Sequence, residues 1–119
     1  MKKLLTILCL VLLVSCSPPP DGPYTKYYPS GQIEMKGTYK NGEEHGLFEE
    51  FYKNGQLERR SNWKDGEEHG LFEIYYENGQ LLRRENYKDG TRNGPIEWFD
   101  EAGQLTKVET YKDEALLKF

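Results

Sequence analysis

The residues most suggestive of chemistry are His45 and His69. Each follows two glutamates, in the octapeptide GEEHGLFE that occupies 42–49 and again 66–73. Imidazole beside carboxylates is the raw material of a metal site or of general base catalysis. If each 24-residue step adds two strands about 4.8 Å apart, the two imidazoles stand roughly 10 Å from each other. Zinc ligands all lie about 2 Å from one ion, and in the next copy Thr91-Arg92-Asn93 replaces Glu-Glu-His. Both histidines are therefore expected to be turn residues with local hydrogen bonds, and neither a metal nor a cofactor is expected.

Other catalytic arrangements fare no better. Ser30 and Ser61 have no neighbouring histidine, and no strained G-x-S-x-G elbow presents a nucleophile. Glu49, Glu73 and Glu97 recur once per repeat, whereas glycoside hydrolysis needs two carboxylates held in different environments. The glycines recur with turns and open no helix that would cradle a phosphate. An enzyme is not expected, and no residue is a candidate for catalysis.

The elements behind these residues follow from the repeat. Four segments align at a period of 24: 27–50, 51–74, 75–98 and the shorter 99–119. The first and second share 13 of 24 positions, as do the second and third. Such periods indicate stacked units that bury their apolar faces only against neighbours. Each unit carries two turn signals. One is Ser30-Gly31, Asn54-Gly55, Asn78-Gly79 and Ala102-Gly103; the other is Asn41-Gly42, Asp65-Gly66 and Asp89-Gly90. Asn-Gly and Asp-Gly supply the positive φ of tight hairpins. Between the turns run alternating segments rich in aromatic and branched side chains, which is strand chemistry.

The fold class is therefore all-β: an elongated, single-layer antiparallel meander of hairpins, with about seven or eight strands. One face is expected to carry the core through Phe48, Phe72, Ile74, Ile96 and Trp98, with Leu57, Leu81 and Leu105 and the ladder Tyr39, Trp63, Tyr87, Tyr111. The other face presents Phe51, Tyr75 and Phe99, flanked by Leu47, Leu71 and Pro95 and by the Glu49, Glu73, Glu97 column. Aromatic rings beside charge are ingredients of a contact patch, so Phe51, Tyr75 and Phe99 with Glu49, Glu73 and Glu97 are the six candidate binding residues. The last unit loses its second strand, and Leu116, Leu117 and Phe119 are expected to fold over the final edge as a cap.

The segments GTYKNGEEHGLF (37–48), NWKDGEEHGLF (62–72) and NYKDGTRNGPI (86–96), together with YYxNGQL, resemble the MORN repeat in its bacterial variant, the family often called YwqK-type antitoxins. The resemblance spans about 27–112, with Asn93-Gly94-Pro95 departing from the usual His-Gly-Leu. It implies a twisted meander of hairpins and a role in protein contacts, either as an antitoxin or as a repeat lipoprotein.

The first residues read differently. Met1-Lys2-Lys3 precedes the apolar run 4–14, broken only by Thr6, and Leu13-Val14-Ser15 leads into Cys16. A basic start and a run too short to span a bilayer form a secretory signal peptide, here 1–15. The residues before Cys16 resemble a lipobox, which makes Cys16 the expected site of lipid (palmitate-type) attachment. Both cysteines, Cys9 and Cys16, lie in this region, so the exported domain can form no internal disulfide. Residues 16–26 are expected to be a lipidated tether. Its three consecutive prolines favour polyproline II, holding the domain about 20 Å from the membrane. The repeat domain is then 27–119.

The chain carries a net charge of −4; without Lys2 and Lys3, 14 basic residues face 20 acidic ones, about −6. That balance excludes a net basic footprint for nucleic acid and disfavours direct binding to anionic headgroups. The expected protein is a membrane-anchored binding module of the cell envelope, possessing a protein partner and resembling an antitoxin. The alternative is a structural envelope lipoprotein with no cognate toxin. Ser17 is not acidic, which favours the outer membrane where the host has two.

Overall fold

The computed structural model describes residues 19–112 and 115–116. The signal peptide, Cys16 and the expected capping residues Leu117 and Phe119 lie outside them. No helix occurs among the described residues. The strands are β1 (Gly22–Tyr27), β2 (Ile33–Lys40), β3 (Glu43–Glu44), β4 (Gly46–Phe51), β5 (Leu57–Lys64), β6 (Glu67–Glu68), β7 (Gly70–Tyr75), β8 (Leu81–Lys88), β9 (Thr91–Arg92), β10 (Gly94–Phe99), β11 (Leu105–Lys112) and β12 (Ala115–Leu116). They form one open antiparallel sheet in the order β1-β2-β4-β5-β7-β8-β10-β11-β12, with β3, β6 and β9 continuing the pairing of β2, β5 and β8. At about 4.8 Å per strand the nine-strand path measures roughly 38 Å across.

The two turn signals fold differently. At Asn41-Gly42, Asp65-Gly66 and Asp89-Gly90 both residues have positive φ, for example 53° and 76° at the first. That is the two-residue hairpin whose twist matches its strands. At the other turns only the glycine is left-handed, with φ of 87° at Gly55. There Gly55 N donates to Tyr52 O (2.9 Å) and Tyr52 N to Gln56 O (2.8 Å), closing a three-residue loop that repeats at 28–32, 76–80 and 100–104.

Each hairpin also carries two irregularities. The register slips at Lys26/Tyr27, Glu50/Phe51, Ile74/Tyr75 and Trp98/Phe99. Between β3 and β4, His45 and Gly46 are inserted opposite β2, where Tyr39 pairs with Glu44 but Lys36 with Glu49. Such bulges increase the local twist and bend the strand.

One expected boundary moves. Residues 22–26, expected in the tether, belong to strand β1, which pairs with β2 from Gly22↔Tyr39 to Tyr27↔Ile33. GPYTKYYPSGQ (22–32) is the equivalent of GLFEEFYKNGQ (46–56). Pro23 obscures this, yet proline is tolerated on an edge strand because no ladder donor is needed on its outer side. At the other end β12 pairs Ala115 with Lys112 and Leu116 with Tyr111, as β3 pairs with β2, so the repeat pattern continues there.

The core is thin. Phe48, Phe72 and Ile96 are buried and share one face, as the alternation predicts. They interleave with Gly37, Ser61 and Glu85 across the sheet. Edge-to-face contacts join Tyr24 to Tyr39 (5.6 Å), Tyr39 to Phe48 (5.4 Å), Phe48 to Trp63 (6.4 Å) and Phe72 to Tyr87 (5.8 Å). Such ring pairs add to area burial. Leu57, Leu81 and Leu105, expected in the core, are not on its face: the register slip pairs them with Phe51, Tyr75 and Phe99 on the opposite side, where Leu105 is exposed.

Candidate binding face

The face opposite the core is built by β4, β7 and β10 with their partners. Alternation turns Leu47, Glu49 and Phe51 away from Phe48, and the same holds for Leu71, Glu73, Tyr75 and for Pro95, Glu97, Phe99. The six candidate residues are thus brought to one side of the sheet, in register. The carboxylates, however, are not a bare acidic stripe. Glu49 pairs with Lys36 (3.3 Å) and Arg60 (3.1 Å), Arg60 reaches Glu73 (3.8 Å), and Arg84 binds Glu97 (2.6 Å).

Read across the strands, the column runs Thr25, Lys36, Glu49, Arg60, Glu73, Arg84, Glu97, Val108. It alternates in sign and is electrically balanced. Register places each ladder arginine opposite carboxylates 11 residues before and 13 residues after it, as Arg60 stands between Glu49 and Glu73, separations that strand alternation alone does not disclose.

The aromatic residues of the face are half-buried. Lys36 Nζ stands 5.5 Å from the Phe51 ring centre. Tyr75 Oη donates to Glu73 Oε2 (2.8 Å). Burial first, and then this bond to a carboxylate, push the Tyr75 phenol up to about 12. The most exposed apolar residues lie on this same face, at Leu47 in β4 and toward the two outer strands at Tyr27 and Ile33 and at Leu105 and Val108.

The units are joined along both margins. Tyr28, Tyr52 and Tyr76 each donate from Oη to the carbonyl of Phe51, Tyr75 and Phe99 at 2.6, 2.7 and 2.9 Å. Asn54 and Asn78 donate from Nδ2 to the carbonyls of Glu77 and Glu101. On the opposite margin Gly66 N and Gly90 N donate to Glu44 O and Glu68 O. There the histidines reach forward one unit. His45 Nδ1 lies 3.6 Å from Asp65 Oδ1, and His69 Nδ1 lies 3.5 Å from Asp89 Oδ1. Their backbone N–H groups donate to Thr38 O and Asn62 O. Among the described residues no three metal-ligating side chains converge.

One polar cluster escaped sequence reasoning. Glu85 is fully buried on the core face, with Arg83 at 3.1 Å and Arg92 at 3.3 Å from its two oxygens. The Arg83 guanidinium also stands over Phe72 (5.8 Å) and Trp98 (5.0 Å). Burial, and next the Glu85 charge, raise the pKa of nearby Glu68. The available signal was the series Gly37, Ser61, Glu85, Glu109 at one repeat position, in which a charge enters a small-residue column.

An open ribbon of equivalent units, joined only to their neighbours and offering one continuous side-chain face, is the architecture of a repeat-based binding module. The chain belongs to the MORN repeat variant family, whose model matches four times, at residues 20–41, 44–65, 68–89 and 92–113. These matches begin seven residues ahead of the units aligned above and include β1 in the first. No curated protein matches the chain.

Proposed function

We propose that this chain is a membrane-anchored repeat lipoprotein, held by a lipid on Cys16 and exported by residues 1–15, that binds a protein through its ladder face and performs no catalysis. The observation that carries this is the balance of that face. Each ladder carboxylate already meets a cation within 4 Å, so a partner can cover Phe51, Tyr75 and Phe99 without stranding an unpaired charge. An unpaired buried charge is what makes interfaces costly. The resemblance to YwqK-type antitoxins makes a toxin acting in the envelope the first partner class to test, and Ser17 favours the outer membrane in a host with two.

Capture of the full-length chain from its own membranes tests this, beside a variant with Phe51, Tyr75 and Phe99 changed to Ser and a Cys16→Ser variant. One stoichiometric protein, lost with the aromatic residues while the variant still melts cooperatively, supports the binding module. Release of the Cys16→Ser chain from membranes supports the anchor. Recovery of the same proteins by both sheets removes the ladder face as a contact site and leaves a structural envelope lipoprotein.

A further inference from the structure

Among the described residues the sheet has two long outer edges, β1 and β11, and both correspond to edges that are occupied inside the ribbon. β1 is the equivalent of β4, β7 and β10. Those strands are met by β2, β5 and β8 through Met35↔Glu50 and Lys36↔Glu49, Arg59↔Ile74 and Arg60↔Glu73, and Arg83↔Trp98 and Arg84↔Glu97. β11 is the equivalent of β2, β5 and β8. A second copy could therefore set its β1 on β11 and continue the ribbon in phase, a head-to-tail contact that never closes.

Three of the side-chain links that hold the internal junctions are missing at such a contact. The bridging tyrosine of Tyr28, Tyr52 and Tyr76 becomes Asp100. Its carboxylate turns back to accept from Ala102 N (3.0 Å) and Gln104 N (2.9 Å) of its own loop. The bridging asparagine of Asn54 and Asn78 becomes Ala102. The cation and carboxylate of the ladder become Val108 and Thr25, both exposed. Lys107 would then oppose Lys26, like charge to like charge, in the place of Arg59 and Ile74.

The rest of unit four keeps the pattern: Gly103, Gln104 and Leu105 persist, and Asp100 N still donates to Gln104 O (2.9 Å). The losses at Asp100, Ala102 and Val108 fall on groups that would reach outward. We infer that Thr25, Lys26, Asp100, Ala102 and Val108 guard the two ends of the ribbon against addition of a second copy. Lysine and proline on exposed edges serve the same end in other sheets, and Pro23 lies in β1.

Two complementary full-length variants, kept in excess detergent and followed by sedimentation velocity, test this. One carries Asp100→Tyr, Ala102→Asn and Val108→Arg; the other carries Thr25→Glu and Lys26→Ile. Mixed together they rebuild a single junction, so the expected product is a 1:1 heterodimer that grows no further. Three restored polar links, each at the usual net strength of a hydrogen bond, correspond to at least ~100-fold tighter association than the parent chain shows with itself. A second mixture, of Val108→Arg with Thr25→Glu, alters only exposed side chains and is expected to gain roughly tenfold. The inference fails if the parent chain self-associates as tightly as either mixture. It fails equally if the second mixture stays monomeric while both its members melt as the parent does.

Discussion

Phe48 lies flat against Gly37 across the β2–β4 pair: a Cβ on Gly37 would stand 2.4 Å from the Phe48 ring. This is closer than any carbon contact permits, and the opposing atoms belong to a rigid ring in the core. Gly37→Ala should therefore destabilise the sheet by about 1–3 kcal/mol through overpacking. At about 4–8 °C per kcal/mol for a domain of this size, thermal unfolding by circular dichroism would register it. An unchanged melting temperature would mean that Phe48 swings aside freely.

The tyrosine bridges make a sharper comparison. Tyr52→Phe deletes only the hydroxyl that serves the Tyr75 carbonyl, at a cost of about 1 kcal/mol. Tyr27→Phe removes a hydroxyl from an exposed ring and should cost nothing measurable. Equal stability of the two variants in urea would show that the bridges contribute no cohesion between units.

Glu85 is expected to be the costliest polar residue to replace. Glu85→Gln leaves Arg83 and Arg92 without their shared counter-charge, and removal of one member of a buried pair costs about 3–5 kcal/mol. Here about 2–3 kcal/mol is expected, since Arg92 keeps 40% of its side chain in solvent and is rehydrated in part. Denaturant midpoints compared with Glu109→Gln, its equivalent in the last unit, would separate burial from charge.

Glu68 predicts a pH dependence of defined sign. Burial and Glu85 raise its folded-state pKa above the ordinary carboxylate value, so the folded chain holds this proton more tightly than the unfolded chain does. The stabilisation is complete below the ordinary value and is lost as pH rises through the raised one. Glu68→Gln should thus stabilise the protein at neutral pH relative to the parent, with the difference shrinking as acid protonates Glu68. Glu109 has the opposite sign: its hydrogen bond from Lys107 lowers its pKa, a contribution lost in acid. A difference between parent and Glu68→Gln that grows toward low pH would contradict the assignment.

The fold was legible because two local signals repeat together. Asn41-Gly42 and its equivalents adopt the positive φ that their types allow, and alternation separates Phe48 and Phe72 from Glu49 and Glu73. Strand β1 was concealed because Pro23 and the preceding prolines read as a tether, although Tyr24 stands where Phe48 and Phe72 stand. The ladder was half legible. Its carboxylates show in the sequence as a column, but their neutralisation by Arg60 and Arg84 depends on register across a bulge. Glu85 was hidden for a related reason: charged residues are rarely fully buried, and only the approach of Arg83 and Arg92 in space makes this one tenable.

The equivalence of the junctions bears on size as well as stability. Because Tyr28, Tyr52 and Tyr76 each clasp the next unit in the same way, a 24-residue block duplicated within the chain would find its clasps waiting. Every such block adds two strands, about 10 Å of reach, and alters nothing at either end. The molecule is graduated like a ruler, and the distance between its two outer edges can change by whole divisions without redesign.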